Sequence, residues 1–312
     1  MLQYILKASF KNVKLYSLLA VFVSLGVLQL VGESGKLFYF IIHVFTLGIA
    51  HGALDRWLFN LSNPSKSIKK ITFYGSYIIV MTIVTGLWWI SPAVALGIFI
   101  LYSSWHFGEV EWTHIIPEKK FVQQVYSAAW GLLLFTSMFL FNAGETIEVI
   151  TRITPITLET PRTTMSLNIA LTVVWLFYSS LPILLGWSPK ENFPVQIFNV
   201  LVLTVLFFAL DLATSFAVFF FYFHSIPSLA FELKAIDKSN IKPDSYKDVF
   251  KEMLVLSVAP ILAIIAITLF FDQSMFNTLL PVLVVMGSAI SFPHTIIYSK
   301  AAQKPRNRLL NQ

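Results

Sequence analysis

The chain has 312 residues, 56% of them hydrophobic and only 12% charged, with a formal net charge of +6 and no cysteine. Soluble domains carry about 25% charged residues, so this composition excludes an ordinary soluble core. The apolar runs are continuous rather than alternating, which argues against an outer-membrane barrel. Without cysteine there is no disulfide, thiolate metal site or thiol nucleophile, and any metal must be held by histidine, carboxylate or backbone oxygen.

The pattern reads as all-α: a polytopic transmembrane helical bundle forming one integral-membrane domain over residues 1–312. Lys7, Lys11 and Lys14 precede the first apolar run with no convincing cleavage site, so the first helix is expected to be retained. Ten spans are expected, eight to ten being compatible with the pattern, at about 15–32, 37–59, 70–91, 93–113, 121–142, 165–187, 193–210, 212–233, 250–271 and 275–298. Only Asp211 separates the seventh from the eighth, which read as a tight hairpin or a broken helix. Residues 143–164 read as a Thr-rich outer loop and 234–249 as a solvated inner connector.

Charge orients the bundle. With the N-terminus in the cytoplasm, every lysine and arginine except Lys36, Arg152 and Arg162 falls on the inner side. That bias predicts an even number of spans, both termini cytoplasmic, and a multi-pass protein of the cell (inner) membrane. Basic inner loops also account for the positive charge, and nothing in the sequence resembles a nucleic-acid-binding patch.

Four of the six histidines fall near the inner ends of outward-to-inward spans: His51, His106, His224 and His294. Their expected depths agree within roughly one or two helical turns. An ionisable residue inside a span usually faces the bundle interior and has a function. Four imidazoles at one level could bind a divalent metal, and imidazole suits iron, zinc and copper. Taken singly, each could equally hydrogen-bond a neighbouring helix.

His51 and Asp55 are four residues apart and are expected to share one face of a helix; Glu109 follows His106 by three. Both carboxylates are suitably placed to orient their own or an adjacent histidine, since metal-bound histidines typically donate their second N–H to such a group. Glu111 reads as a surface carboxylate. His43 lies off the face of His51 and reads as packing, and His114 reads as a loop residue. Gly48, Gly52, Ser103, Ser104 and Gly108 permit close helix approach. The aromatic run 216–223 and the residues Trp105, Phe107, Tyr222 and Phe223 would wall a long, flat substrate, or simply pack against helices and lipid.

These residues carry a family resemblance. His-Gly-Ala-Leu-Asp at 51–55, Trp-His-Phe-Gly-Glu at 105–109, His-Ser at 224–225 and Pro-His at 293–294 resemble, in the same order, the Brp/Blh family of membrane β-carotene 15,15'-dioxygenases. The resemblance implies one non-haem Fe(2+) ligated by His51, His106 and His224, and the cleavage of β-carotene by O2 into two retinals. A microbial rhodopsin in the same membrane would be a natural recipient of the retinal; composition already implies a lipid bilayer around the protein, and the topology puts the histidines, and so the metal site, toward the cytoplasmic side. The family's third motif reads His-Ser-x-x-His or close to it. Here Ser228 stands where the second histidine is expected, leaving His294 or a water to complete the set.

Other classes differ in testable ways. A di-iron desaturase would need clustered HxxxH and HxxHH histidines, and these six are dispersed. A bis-histidine haem protein would show a Soret band. A non-catalytic carotenoid- or retinoid-binding or transport protein would use the histidines for proton transfer or packing.

Overall fold

The computed structural model describes residues 10–30, 32–44, 51–63, 68–112, 120–159, 165–237 and 276–302, with scattered positions between 247 and 262. No strand occurs among the described residues, and the helices are α1 (Phe10–Leu30), α2 (Glu33–His43), α3 (Asp55–Ser62), α4 (Lys70–Ile90), α5 (Pro92–Trp112), α6 (Lys120–Phe141), α7 (Ala143–Ile153), α8 (Met165–Leu184), α9 (Phe193–Ala209), α10 (Leu212–Val218), α11 (Ile226–Asp237) and α12 (Phe276–Ala302). Short 3-10 turns precede α3 (His51–Leu54) and α9 (Lys190–Asn192). A π-helical segment, Phe219–Ser225, joins α10 to α11.

Seven of these stretches are long and apolar enough to cross a membrane: Lys70–Ile90, Pro92–Trp112, Phe121–Phe141, Met165–Leu184, Lys190–Ala209, Leu212–Asp237 and Val282–Ala302. Tyr16–Leu28 is a shorter apolar stretch. The expected ninth span, 250–271, lies almost wholly outside the described residues, as does His114.

Two local features differ from the expectation, and a third gives the break at Asp211 its structure. The second expected span is not one uninterrupted helix, because residues 51–54 form a 3-10 turn and α3 begins only at Asp55. The expected outer loop contains α7. Its first turn carries Glu145 and its last turn Arg152, each favourable against the helix dipole, and Glu148 pairs with Arg152 one turn on. The boundary at Asp211 is a helix start. Its carboxylate accepts from the Thr214 backbone N–H and hydroxyl, both at 2.8 Å, capping α10.

The described helices fall into two compact units. Unit 1 comprises residues 1–82, 217–279 and 289–312. In it α11 packs on α1, on the 51–54 turn and on α3. Its core joins Leu54, Trp57 and Leu58 to Leu229, Leu233, Ile236 and Ala301. His43 stacks on Tyr39 at 3.7 Å between ring centroids and meets Phe221 edge-on, which is the packing role expected of it. Its Nδ1 donates to the Tyr39 carbonyl at 2.8 Å, so Nε2 accepts from the Tyr222 hydroxyl at 3.4 Å, and Tyr222 accepts in turn from Ser24 at 2.7 Å.

Unit 2 comprises residues 83–216 and 280–288. Its centre is the α5–α6 pair, built backbone against backbone. A Cβ at Gly108 would lie 1.8 Å from the Ser127 carbonyl oxygen, and one at Gly131 would lie 1.8 Å from that of Ser104. Each helix thus offers a Ser-x-x-x-Gly stretch (104–108 and 127–131) to the other. Lipid is as apolar as leucine, so close van der Waals packing of this kind, rather than hydrophobic burial, drives helix association in a bilayer. Around the pair, Trp130 Nε1 donates to Ser179 Oγ at 2.9 Å and Trp88 Nε1 to Ser288 Oγ at 2.7 Å.

Candidate functional site

Asp55 opens α3 directly after the 3-10 turn, where a carboxylate meets the positive end of the helix. Its residue is 1% exposed, so its desolvation must be offset by partners. Both oxygens have one. His294 on α12 donates from Nδ1 to Oδ1 at 2.7 Å, and Tyr77 on α4 donates to Oδ2 at 3.1 Å. An ionised carboxylate only accepts, so Nδ1 carries the proton and Nε2 becomes the lone-pair nitrogen of His294. The Tyr77 hydroxyl also lies 3.1 Å from the Ile290 carbonyl, so one proton serves a side-chain and a backbone acceptor. At Gly52, a Cβ would lie 3.7 Å from Asp55 Oδ2 and 3.8 Å from His294 Nδ1.

Asp55 therefore orients an adjacent histidine, from a helix 239 residues away in sequence, and not through a regular helix face shared with His51. His51 begins the 3-10 turn, whose three-residue period replaces the α-helical i, i+4 register. The imidazole of His51 lies outside the described residues.

His224 sits in the π-helical segment and is 2% exposed, its ring stacked on Phe220 at 5.3 Å. Ser225 Oγ donates to the Phe220 carbonyl five residues back, at 2.8 Å, as the wider turn allows. Single π turns inside α-helices occur frequently at functional sites. Tyr222 and Phe223 flank His224 and are buried; Phe223 stacks on Phe219 at 6.5 Å.

One and two turns beyond, Ser228 and Glu232 are both fully buried, and the Ser228 hydroxyl donates to Glu232 Oε1 at 3.0 Å. Asp55 and Glu232 are within electrostatic reach of each other, and both are within reach of Tyr77. The sequence reading missed Tyr77 and Glu232. The signal for Glu232 was available: a lone carboxylate eight residues after His224 inside an apolar span. Tyr77 had no such signal, being one of several hydroxyl-bearing residues in its helix.

The remaining site residues belong to unit 2. His106 and Glu109 are 2% and 3% exposed on α5, on either side of Gly108. Glu111 is not a surface carboxylate: it is buried, and Asn199 on α9 donates to its Oε1 at 3.3 Å. Phe107 packs against Phe135, with ring centroids 5.6 Å apart, and Trp105 is half-buried. Among the described residues no three histidine, aspartate or glutamate side chains form a group able to hold a metal ion. The structure brings together Asp55 and His294 from the expected set, with His224 in the same unit.

No curated protein and no solved structure matches the chain. A family model described as beta-carotene 15,15'-dioxygenase matches residues 42–301, a range that contains every site residue named above. The match spans well over half of the sequence, and the chain belongs to the β-carotene 15,15'-dioxygenase family.

Proposed function

We propose that this membrane protein is an Fe(2+)-dependent dioxygenase that cleaves the central double bond of β-carotene with O2 to give two retinals. The observation that carries the reading is the buried Asp55–His294 pair, held by Tyr77 within the family-matched region. A histidine whose Nδ1–H is fixed by a carboxylate is prepared to offer Nε2 to a metal. The donor chemistry fits iron, since imidazole and carboxylate are the ligands non-haem Fe(2+) oxygenases use. His51, His106, His224 and His294 are the residues assigned to hold it. When bound, the iron supplies the activation of dioxygen, which side chains alone do not provide.

The chain's own residues then have distinct tasks. Asp55 sets the tautomer of His294, and Tyr77 keeps the Asp55 carboxylate from rotating. Phe220 restrains the His224 ring by stacking. Glu109 is assigned the corresponding orienting task on α5, beside His106. Trp105, Phe107, Tyr222 and Phe223 are assigned to the walls that hold the polyene, exclude water and place its central bond. β-Carotene enters from the lipid, and retinal leaves toward a rhodopsin in the same membrane.

The test is expression of the full chain in bacteria that accumulate β-carotene, with iron and air. Bleaching of the orange colour and retinal by chromatography are expected. Persistence of carotene, with the protein verified in the membrane, refutes the reading. His51→Ala, His106→Ala, His224→Ala and His294→Ala variants then assign the ligands; full activity of His294→Ala removes it from the set.

A further inference from the structure

A basic cluster gathers around Glu252 at the start of α4, within unit 1. Lys70 donates to Glu252 Oε1, and the Tyr74 hydroxyl donates to Oε2 at 3.1 Å. Arg56, on α3, lies over the Trp57 ring with Cζ 4.5 Å from the centroid, and its Nη2 reaches Glu252 Oε1 only at 3.7 Å. The Arg56 Nε is buried and has no hydrogen-bond partner. Asp55, the residue before it, has both oxygens engaged by His294 and Tyr77. Lys69 and Lys251 add positive charge at exposed positions adjoining Lys70 and Glu252. Among the described residues Glu252 is thus shared between two cations, and the cluster keeps an excess of positive charge.

The cluster stands at the edge of a bilayer. Lys70 opens the stretch Lys70–Ile90, which is long and apolar enough to cross a membrane, and its side chain is 59% exposed despite the bond to Glu252. Just beyond it on α4, Ile71 and Ile79 are 81% and 62% exposed, and between them a Cβ at Gly75 would meet nothing within 4 Å. Positions four apart lie on one helix face, so 71, 75 and 79 form an open apolar stripe, notched at the glycine, that leads from the lysines into the hydrocarbon. A small soluble anion would use only the charged end. A molecule with an anionic head and an apolar tail uses both, and basic clusters beside membrane helices are where such headgroups bind.

We propose that the Lys70 end of α4 binds an anionic phospholipid: Lys69 and Lys70 take the phosphate, Arg56 supplies charge behind them, and an acyl chain starts along Ile71, Gly75 and Ile79. The phosphate competes with Glu252 for Lys70, both being oxyanion acceptors for the same ammonium. Arg56 directly follows Asp55 in the first turn of α3, so the lipid braces the turn on which the Asp55–His294 pair stands.

The test uses the full chain purified in detergent and titrated with phosphatidylglycerol, phosphatidylcholine or inorganic phosphate. Binding is read by native mass spectrometry and by the melting temperature, which a ligand of the folded state raises. Phosphatidylglycerol is expected to bind at least about tenfold more tightly than phosphatidylcholine, Lys70→Gln to weaken it about fivefold, and the Lys69→Gln/Lys70→Gln pair about twenty-five-fold. Lys190→Gln, in unit 2, is expected to change nothing. Glu252→Gln is expected to tighten phosphatidylglycerol binding, because the competing carboxylate is gone; a purely structural role for the cluster would not do this. Equal affinity for the two lipids, or an unchanged affinity for phosphatidylglycerol in the paired lysine variant, overturns the proposal. Displacement of the lipid by millimolar inorganic phosphate marks a free-phosphate site and overturns it as well. Should Glu252→Gln fail to fold, the exposed lysine variants decide, with helix content checked by circular dichroism.

Discussion

The α5–α6 contact offers the sharpest structural test, Gly108→Ala. The added Cβ would lie 1.8 Å from the Ser127 carbonyl oxygen, 2.5 Å from its carbon and 2.9 Å from its Cα. A relaxed C···O contact is about 3.3 Å, so the helices would have to part by about 1.5 Å at this crossing. The obstacle is helix backbone, so no rotamer change relieves it, and the cost falls at the upper end of overpacking penalties, about 3 kcal/mol. Better helix propensity returns at most about 1 kcal/mol. The net loss is about 2 kcal/mol, or roughly thirtyfold in the folded-to-unfolded ratio. Gly97→Ala, on the same helix, is the control, because a Cβ there meets nothing within 4 Å. Denaturation by sodium dodecyl sulfate in mixed micelles, followed by circular dichroism, measures both. If Gly108→Ala is as stable as Gly97→Ala, the backbone-on-backbone packing is wrong. Gly131→Ala is expected to behave like Gly108→Ala. The double variant is expected to lose less than the sum, since one separation of the helices relieves both clashes.

Two further substitutions probe unit 1 and the α9–α10 boundary. Tyr77→Phe leaves Asp55 Oδ2 buried without its donor, so a loss of about 1–3 kcal/mol is expected; a melting temperature in detergent equal to that of the wild type would falsify the role given to Tyr77. Asp211→Ala removes both bonds to Thr214, and a loss of about 0.5–2 kcal/mol is expected. An unchanged denaturation midpoint would show that the start of α10 does not depend on this cap.

Length and hydropathy made most of the helices legible from sequence, because a bilayer imposes both. The expected limits 70–91, 93–113 and 121–142 lie within a residue or so of α4, α5 and α6. Apolar continuity alone also marked the segments carrying His106, His224 and His294, and the small residues of α5 marked the face that meets α6. The ordered motifs 51–55, 105–109, 224–225 and 293–294 were enough to indicate the family that the match over residues 42–301 establishes.

What the sequence could not specify is how each helix is turned and where its regular period breaks. The 3-10 turn at 51–54 and the π segment at 219–225 contain no proline, and Pro227, two residues past the π segment, breaks the regular hydrogen-bond ladder without specifying where the wider turns fall. Helix α7 was hidden because Thr-rich polarity resembles a loop until its apolar face is covered. The partner of Asp55 was open for the same reason: the four-residue spacing favoured His51, whereas packing brought His294 to 2.7 Å. Glu111 looked solvent-exposed until Asn199 was placed beside it, and that Ser228 is the donor to Glu232 follows only from their 3.0 Å distance. Composition and spacing determine which residues a bilayer must bury; only the packed structure determines which buried groups satisfy one another, because a hydrogen bond depends on ångström distances between segments the chain itself keeps far apart.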